Sequence, residues 1–400
     1  MKAHPDIIII EVLELIKTFL TNLKIPFELI FENKKIKLML FKNLDENTSQ
    51  FKRIFDKLNS LVTEMNINKV KIIVIDSEFP TLEVATSYSS WLKSGPYDCG
   101  NTCRVAFSCK ADKMTECAAS LSLMSEANGS AMRNTPIPCI FHKLPYKTIA
   151  EFAREDARLS HPSKVCQDVN ALYSIAIAYL INNPGDNKGA IELVENWKSV
   201  DKTVKEWLED SKQDLSTIDC NTNIGHVKHA FTLAFHFLRN KTDYETAIFE
   251  TLKKNADTDT NACIVGGLIA ALHGYSSIPD YMKDPVLKFD PSTLKLALKG
   301  NWRPSKYKPA HILEFAESCS LEKLDYIKGA LVGALVGDAA GVTLEFFNKP
   351  ITSELAKRAM KMPGGGVFNV APGQISDDGE LTLSLCHALR KNIKIYKITK

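Results

Sequence analysis

Two short acidic runs hold the residues of this chain best suited to chemistry. One is Asp257-Thr258-Asp259-Thr260, within NADTDTNA (255–262), and the other is Ser376-Asp377-Asp378, within ISDDGELTLSL (375–385). Asp338 and Glu345 close a third stretch, YIKGALVGALVGDAAGVTLE (326–345). Neither acidic run has a His or Cys in it, so the donors are all oxygen, a set that favours magnesium or manganese over zinc. A helix cap explains either run taken alone, because Ser, Asp and Thr are ordinary N-cap residues. Capping accounts for one residue, not for a run. Asp257, Asp259, Thr260, Glu345, Ser376, Asp377 and Asp378 are therefore the candidate metal ligands.

Those side chains need elements that bring them together. Glycines 329, 333, 337 and 341 recur every fourth residue, which places them on one helix face and lets another backbone approach closely. A membrane span is excluded, because Asp338 interrupts an apolar run already too short for a ~20-residue crossing. The Gly/Pro-rich loop MPGGGVFNVAPGQ (362–374) then delivers the Ser376 run onto a following helix, and an Ala/Gly-rich helix follows Asp257. A separate glycine turn, Asn128-Gly129-Ser130 with Arg133, leaves two readings open. It is either an anion-binding turn with a guanidinium fork, or an ordinary Asn-Gly turn with Arg133 in a buried ion pair.

Six segments together resemble the successive signatures of the ADP-ribosylglycohydrolases: YDCGNT (97–102), NGSAMR (128–133), SHP (160–162), DTDTNA (257–262), GDAAGVTLE (337–345) and SDDGELTL (376–383). Members of that family usually begin with the GD-and-Glu and TDD motifs and finish with DTDTNA. Here the first two stand last, so the chain resembles a circular permutation with its cut after the SDD helix. The resemblance covers residues 82–285 and 326–390, with 286–325 as the bridge joining the family's usual ends. It implies a mainly α fold, a helical bundle fronted by a small α+β module, and magnesium-dependent cleavage of the bond between ADP-ribose and an acceptor. It also implies two ions, with manganese as the alternative metal, and a catalytic carboxylate at Glu345 or Asp98. Asn128, Gly129, Ser130 and Arg133 are expected at the pyrophosphate, and His161 is expected to face the ADP-ribose. Two departures stand out. Ser376 and Gly379 replace the usual threonines of TDDT, and Asn255-Ala256 replaces the usual Gly-Gly before DTDT.

The remaining chain sets limits. Four hundred residues, 45% hydrophobic and 24% charged, describe a globular protein with a large core. A net charge of +3 gives no basic field for nucleic acid, so the expected partner is an ADP-ribosylated protein or an ADP-ribose-containing small molecule, with nucleic acid entering only as an ADP-ribosylated end. A monomer is expected. The ten cysteines form no C-x-x-C pair and read as reduced, mostly buried thiols. The apolar N-terminus is broken by Asp6, Glu11 and Glu14, and the cytoplasm is the expected compartment.

Residues 1–80 pattern as α-β-β-α-β: a helix over 7–23, strands at 27–31 and 35–41, a helix over 50–65 and a buried strand at 69–76. No chemistry is legible in that module, and residues 81–400 form the helical domain. His226, His229 and His236 read as core or helix-surface residues, Phe231, Phe235 and Phe237 as packing, and residues 391–400 as a solvated basic tail. The rival reading is a non-catalytic ADP-ribose-binding or structural protein on the same scaffold, and an intact site separates the two.

Overall fold

The computed structural model describes residues 5–32, 35–41, 69–293 and 307–399, together with residues 49, 52, 53, 56 and 60. The helix expected over 50–65 lies largely outside these, although residues 52, 53, 56 and 60 are helical. The Trp302-Arg303 part of the bridge also lies outside them.

At the front, an α-helix (Pro5–Asn22) precedes a four-stranded sheet of order β1 (Phe27–Glu32), β2 (Lys35–Phe41), β3 (Lys69–Ile75), β4 (Ile393–Thr399). β1 and β2 are antiparallel in the register Glu32↔Lys35, β2 and β3 are parallel, and β3 and β4 are antiparallel with Ile75 opposite Ile393. The last strand corrects two expectations. Residues 393–399 form a strand rather than a tail, and the sheet that begins in the N-terminal module takes its fourth strand from the far end of the chain. The β-branched residues of IKIYKIT (393–399) suit a strand and outweigh its two lysines, Lys394 and Lys397.

Behind the sheet the chain is helical, and its centre is a helix pair. Helix Leu324–Gly341 lies against helix Thr258–His273, with both almost wholly buried. The glycine stripe makes this approach possible: a Cβ at Gly333 would fall 2.6 Å from the Gly266 carbonyl oxygen, and one at Gly329, Gly337 or Gly341 would strike the backbone of Ala270, Ala262 or Asp259. Gly341 against Asp259 thus brings the end of one helix, with Asp338, beside the start of the other. Around the pair pack Lys164–Asn182, Val227–Arg239 and Tyr244–Lys253, with Tyr173 and Tyr244 donating hydroxyl hydrogen bonds to the Ile264 and Gly333 carbonyls at 3.0 and 2.8 Å. Phe231, Phe235 and Phe237 are buried packing residues, as expected.

Helix Asp377–Leu389 lies beside helix Thr81–Lys93, tied by Ser87 to Ser384 and by the Trp91 indole N–H to Glu380 at 2.7 Å. Segments nearly three hundred residues apart in sequence are therefore neighbours. Among the described residues no helix is long and apolar enough to cross a membrane. The cysteines depart from expectation at one place. Cys109 and Cys117 form a disulfide, while the eight others are free and buried.

Candidate active site

Seven carboxylates converge where the helix pair ends. Asp257 and Asp259 open the Thr258–His273 helix; Asp338 lies in the last turn of Leu324–Gly341; Glu345 follows it; Asp377 and Asp378 open Asp377–Leu389; Asp98 precedes the short helix Asn101–Phe107. One carboxylate oxygen each from Asp257, Asp259 and Glu345 lie within 4.8 Å of one another, and so do those of Asp259, Asp338 and Asp378. Asp259 belongs to both groups.

Local hydrogen bonds fix this geometry. Asp338, whose importance the sequence showed only as a charge interrupting an apolar helix, accepts both the Ser376 N–H (3.0 Å) and the Gly379 N–H (2.8 Å). It thereby clamps the first turn of the Asp377–Leu389 helix, satisfying orphan amides that a helix start always presents. Both Asp338 oxygens are thus engaged by backbone amides, and one of them also lies within 4.8 Å of carboxylate oxygens of Asp259 and Asp378. Gly379 is needed for this arrangement: a Cβ there would meet the Asp338 Oδ2 at 2.7 Å and the Ile375 side chain at 2.9 Å. The departure from the usual threonine thus coincides with room for the clamp.

The Ser376 and Thr260 hydroxyls both donate to Asp378 Oδ2, at 3.0 and 3.3 Å. The Tyr97 hydroxyl holds the Ile375 carbonyl at 3.0 Å, linking the Asp98 segment to the Ser376 segment. Asn128 Nδ2 donates to Asp257 Oδ2 at 2.8 Å. On the other side of Asp257, Asn255 and Ala256 both take φ near +65°, the left-handed conformation that a Gly-Gly pair would adopt without steric cost.

Electrostatically the site is dominated by like charges, with the Arg104 guanidinium acting on Asp98. Burial pushes Asp259, Asp377 and Asp378 well above the usual carboxylate range, and their mutual repulsion adds to it; no cation figures among the leading influences on them. Glu345 is pushed up to about 9 and Asp338 to about 7, chiefly by burial. Asp98 is raised by burial and hydrogen-bonds with Asp377, and Glu345 hydrogen-bonds with Asp259. Carboxyl groups forced to share protons in this way mark a place where positive charge is wanted. Glu345 Oε2 and Asp378 Oδ1 are buried without any protein partner.

A cavity of about 380 Å³ opens onto the cluster, lined by Asp98, Asp257, Asp259, Thr260, Glu345 and Asp377 together with Asn128, Gly129 and His161. Ser376 and Asp378 lie just behind its wall. His161 is buried; its Nδ1 pairs with the Ser160 hydroxyl at 2.8 Å while Nε2 has no partner. Burial lowers its pKa to about 3, so the ring is neutral near pH 7. Two expected substrate contacts are not brought to this cavity. Arg133 is fully buried: Nε donates to Asp156 at 3.0 Å, Nη1 to the Gly129 carbonyl at 2.7 Å and Nη2 to the Asp156 carbonyl at 3.0 Å, with Tyr88 and Phe107 against its face. Ser130 is also buried, accepting from Asn170 Nδ2 at 2.9 Å. The turn at Asn128–Ser130 is a single 3₁₀ turn, not the start of a long helix. Arg133 therefore follows the buried-ion-pair alternative, holding the glycine turn from behind. Sequence reasoning also missed Phe346, an exposed rim residue at φ +56°, and Asn261, whose amide atoms are buried without partners.

The comparisons with known proteins agree with this geometry. A mimivirus protein (Acanthamoeba polyphaga mimivirus) provisionally named an ADP-ribosyl glycohydrolase is 28% identical over 247 residues, covering 56% of this chain and 73% of that one. An ADP-ribosyl-dinitrogen reductase glycohydrolase of Rhodospirillum rubrum is 43% identical over 65 residues, 16% of this chain and 22% of its own. An ADP-ribosylarginine hydrolase, Tri1, of Serratia proteamaculans is 42% identical over 67 residues, 17% of each chain. The chain thus spans only about a fifth of the latter two relatives. No solved structure matches. The sequence profile of ADP-ribosylglycohydrolase matches residues 56–304 and 320–397, well over half of the chain, and on this ground, with the carboxylate cluster its motifs assemble, the protein belongs to the ADP-ribosylglycohydrolase family.

Proposed function

We propose that this chain is a divalent-metal-dependent hydrolase that cleaves the glycosidic bond between ADP-ribose and a modified acceptor, a protein side chain in the first instance. One observation carries the reading: carboxylates from separate chain segments face one another within 4.8 Å, with Glu345 Oε2 and Asp378 Oδ1 buried and without a hydrogen-bond partner. These donors fit a pair of hard divalent ions. Asp257, Asp259 and Glu345 would hold one, and Asp259, Asp378, Asp377, Ser376 and Thr260 the other, with magnesium favoured and manganese the alternative. Bound there, the ions would supply Lewis acidity toward ribose hydroxyls and a water.

The protein's own groups do the remaining work. Cleavage passes through a transition state with oxocarbenium character, which carboxylates beside the anomeric carbon stabilise. Glu345 and Asp98 line the cavity from opposite sequence segments, and either is placed to take a proton from water or return one to the leaving group. Asn128, which donates to Asp257, and Gly129 line the same cavity. His161, neutral and with Nε2 free, offers a hydrogen bond without adding charge. Asp338 acts through the helix start it clamps.

The segment order supports a circular permutation of the family's chain, with the Asp377–Leu389 and Thr81–Lys93 helices side by side at the former connection. The functional test is turnover of ADP-ribosylated arginine, serine and DNA-end substrates with magnesium, with manganese and with chelator, alongside calorimetric ion titration. Release of ADP-ribose that vanishes with chelator is expected. A protein that binds ADP-ribose but turns over none of the substrates would be the binding protein of the rival reading.

A further inference from the structure

Exposed apolar side chains gather around the mouth of the carboxylate-lined cavity. Ile224 and Phe346 both line it, yet they are 57% and 54% exposed, so each belongs to its rim. Left-handed backbone presents them: Asn223 (φ +54°) and Gly225 (φ +83°) bracket Ile224, and Phe346 itself takes φ +56°. Asn and Gly adopt that conformation readily, whereas a Phe there persists only where the surroundings fix the chain. The Ile224 segment is fixed from both sides. The Gly225 carbonyl accepts the Asn128 N–H at 2.9 Å, and the Val227 N–H donates to the Glu126 carbonyl at 2.9 Å.

A second apolar group stands beside the same rim. Helix Met114–Leu121 ends in a tight turn, closed by the Ser125 N–H on the Ser122 carbonyl at 2.9 Å, whose two central residues are Leu123 and Met124. A turn tip ordinarily carries Gly, Asn, Asp or Pro. This one carries two large apolar side chains, 56% and 88% exposed. Nor is the turn a loose end. Met114 and Ala118 bury its helix in the core, the Cys109–Cys117 disulfide ties that helix to the segment following Asn101–Phe107, and Ser125 Oγ lies 3.0 Å from Thr102 Oγ1. Thr102 and Ala127 are both walls of the cavity, so the Leu123–Met124 tip is anchored at the cavity's edge.

Single exposed apolar residues need no explanation, but a set gathered about one opening does. The contents of the cavity decide what covers them. A space of about 380 Å³ takes a small molecule and has no room for a folded polypeptide. Whichever way an ADP-ribosyl group lies in it, a polypeptide acceptor must therefore rest over the mouth. We propose that Leu123, Met124, Ile224 and Phe346 form the docking surface for the acceptor polypeptide, and that this surface favours acceptors with apolar side chains flanking the modified residue. The proposal rests on the hydrolase reading, and its test separates the two.

Short fluorescent peptides ADP-ribosylated at one arginine or one serine, flanked by Leu and Val or by Ser and Asn at equal net charge, are compared with the free ADP-ribosylated amino acid. Anisotropy and turnover in magnesium are both followed with the full chain. The apolar peptide is expected to bind roughly tenfold more tightly than the polar one, about what burying one apolar side chain supports, with the difference appearing in KM and not in kcat. The double variant Leu123→Asp with Met124→Asp places turn-compatible residues at the tip. It should lose that preference while turning over the free ADP-ribosylated amino acid as wild type does. Equal binding of the two peptides by wild type, an unchanged preference in the double variant, or an equal loss on the free amino acid would overturn the docking assignment and leave the hydrolase reading standing. So would tighter binding of an ADP-ribosylated oligonucleotide end than of the apolar peptide, or sedimentation as a dimer that the double variant disperses. Failure to bind any ADP-ribosylated probe would overturn both readings.

Discussion

Replacing Glu28 by Gln should unlock the N-terminal sheet from the helical body. Glu28 lies on β1 with its side chain fully buried, and its partners come from two distant places. His142 Nε2 is 3.1 Å from Oε1, the Ser320 hydroxyl donates to both oxygens at 2.8 and 2.9 Å, and the Leu321 N–H donates to Oε2 at 2.6 Å. The other ring nitrogen of His142 faces the Cys139 carbonyl at 3.0 Å. Burial alone would raise the Glu28 pKa, but the His142 contact and the Leu321 and Ser320 hydrogen bonds outweigh it and hold the pKa at about 2, against an ordinary 4.5. At about 1.4 kcal/mol per tenfold change in acidity, that difference contributes about 3 kcal/mol. Since the folded pKa is the lower one, the contribution is complete above pH 4.5 and is lost as pH falls toward 2. Urea unfolding followed by tryptophan fluorescence at several values between pH 7 and 2.5 measures it. Glu28→Gln is expected to lose about 3 kcal/mol at pH 7, with the gap to wild type closing in acid. A variant as stable as wild type at pH 7, or a gap of constant size down to pH 2.5, would refute the reasoning.

Other expectations concern the site and its supports. Gly337→Ala puts a methyl group into the Ala262 backbone; it should cost about 3 kcal/mol or more and weaken divalent-ion binding, both visible in a denaturation series with and without magnesium. Asp259→Asn should keep the helical circular dichroism of wild type but lose the stabilisation by magnesium, which for a site filled at a hundred times its Kd amounts to about 2.7 kcal/mol; an undiminished magnesium effect would remove Asp259 from the ligand set. Arg133→Ala leaves Asp156 buried and unpaired, so it should destabilise the fold by about 3–5 kcal/mol. Loss of ADP-ribose affinity with stability unchanged would instead restore Arg133 to the substrate.

The sequence made the site legible wherever one residue type admits few explanations. A glycine every fourth position has one economical use, close backbone contact, and the structure spends Gly329, Gly333, Gly337 and Gly341 on the helix that starts at Thr258. Runs of carboxylates at two helix starts likewise exceed what capping needs, and Asp257, Asp259, Glu345 and Asp377 do line one cavity. Arg133 was less legible because a guanidinium fork satisfies a pyrophosphate or a buried carboxylate equally well, and its true partner, Asp156, lies on a helix whose residues gave no signal.

Asp338 was hidden for the opposite reason. Its partners are backbone amides of Ser376 and Gly379, which no residue type advertises. The C-terminal strand shows the general limit: IKIYKIT (393–399) has strand composition, but only the placement of β3 beside the end of the Asp377–Leu389 helix gives it an edge to join, with the Asp76 N–H bonded to the Asn392 carbonyl at 2.9 Å. That pairing binds the two chain segments flanking the proposed permutation cut. The sheet that looked like an appendage therefore ties the end of the Asp377–Leu389 helix to the N-terminal strands, and the cavity that depends on the Asp377 and Thr81 helices staying together depends on it too.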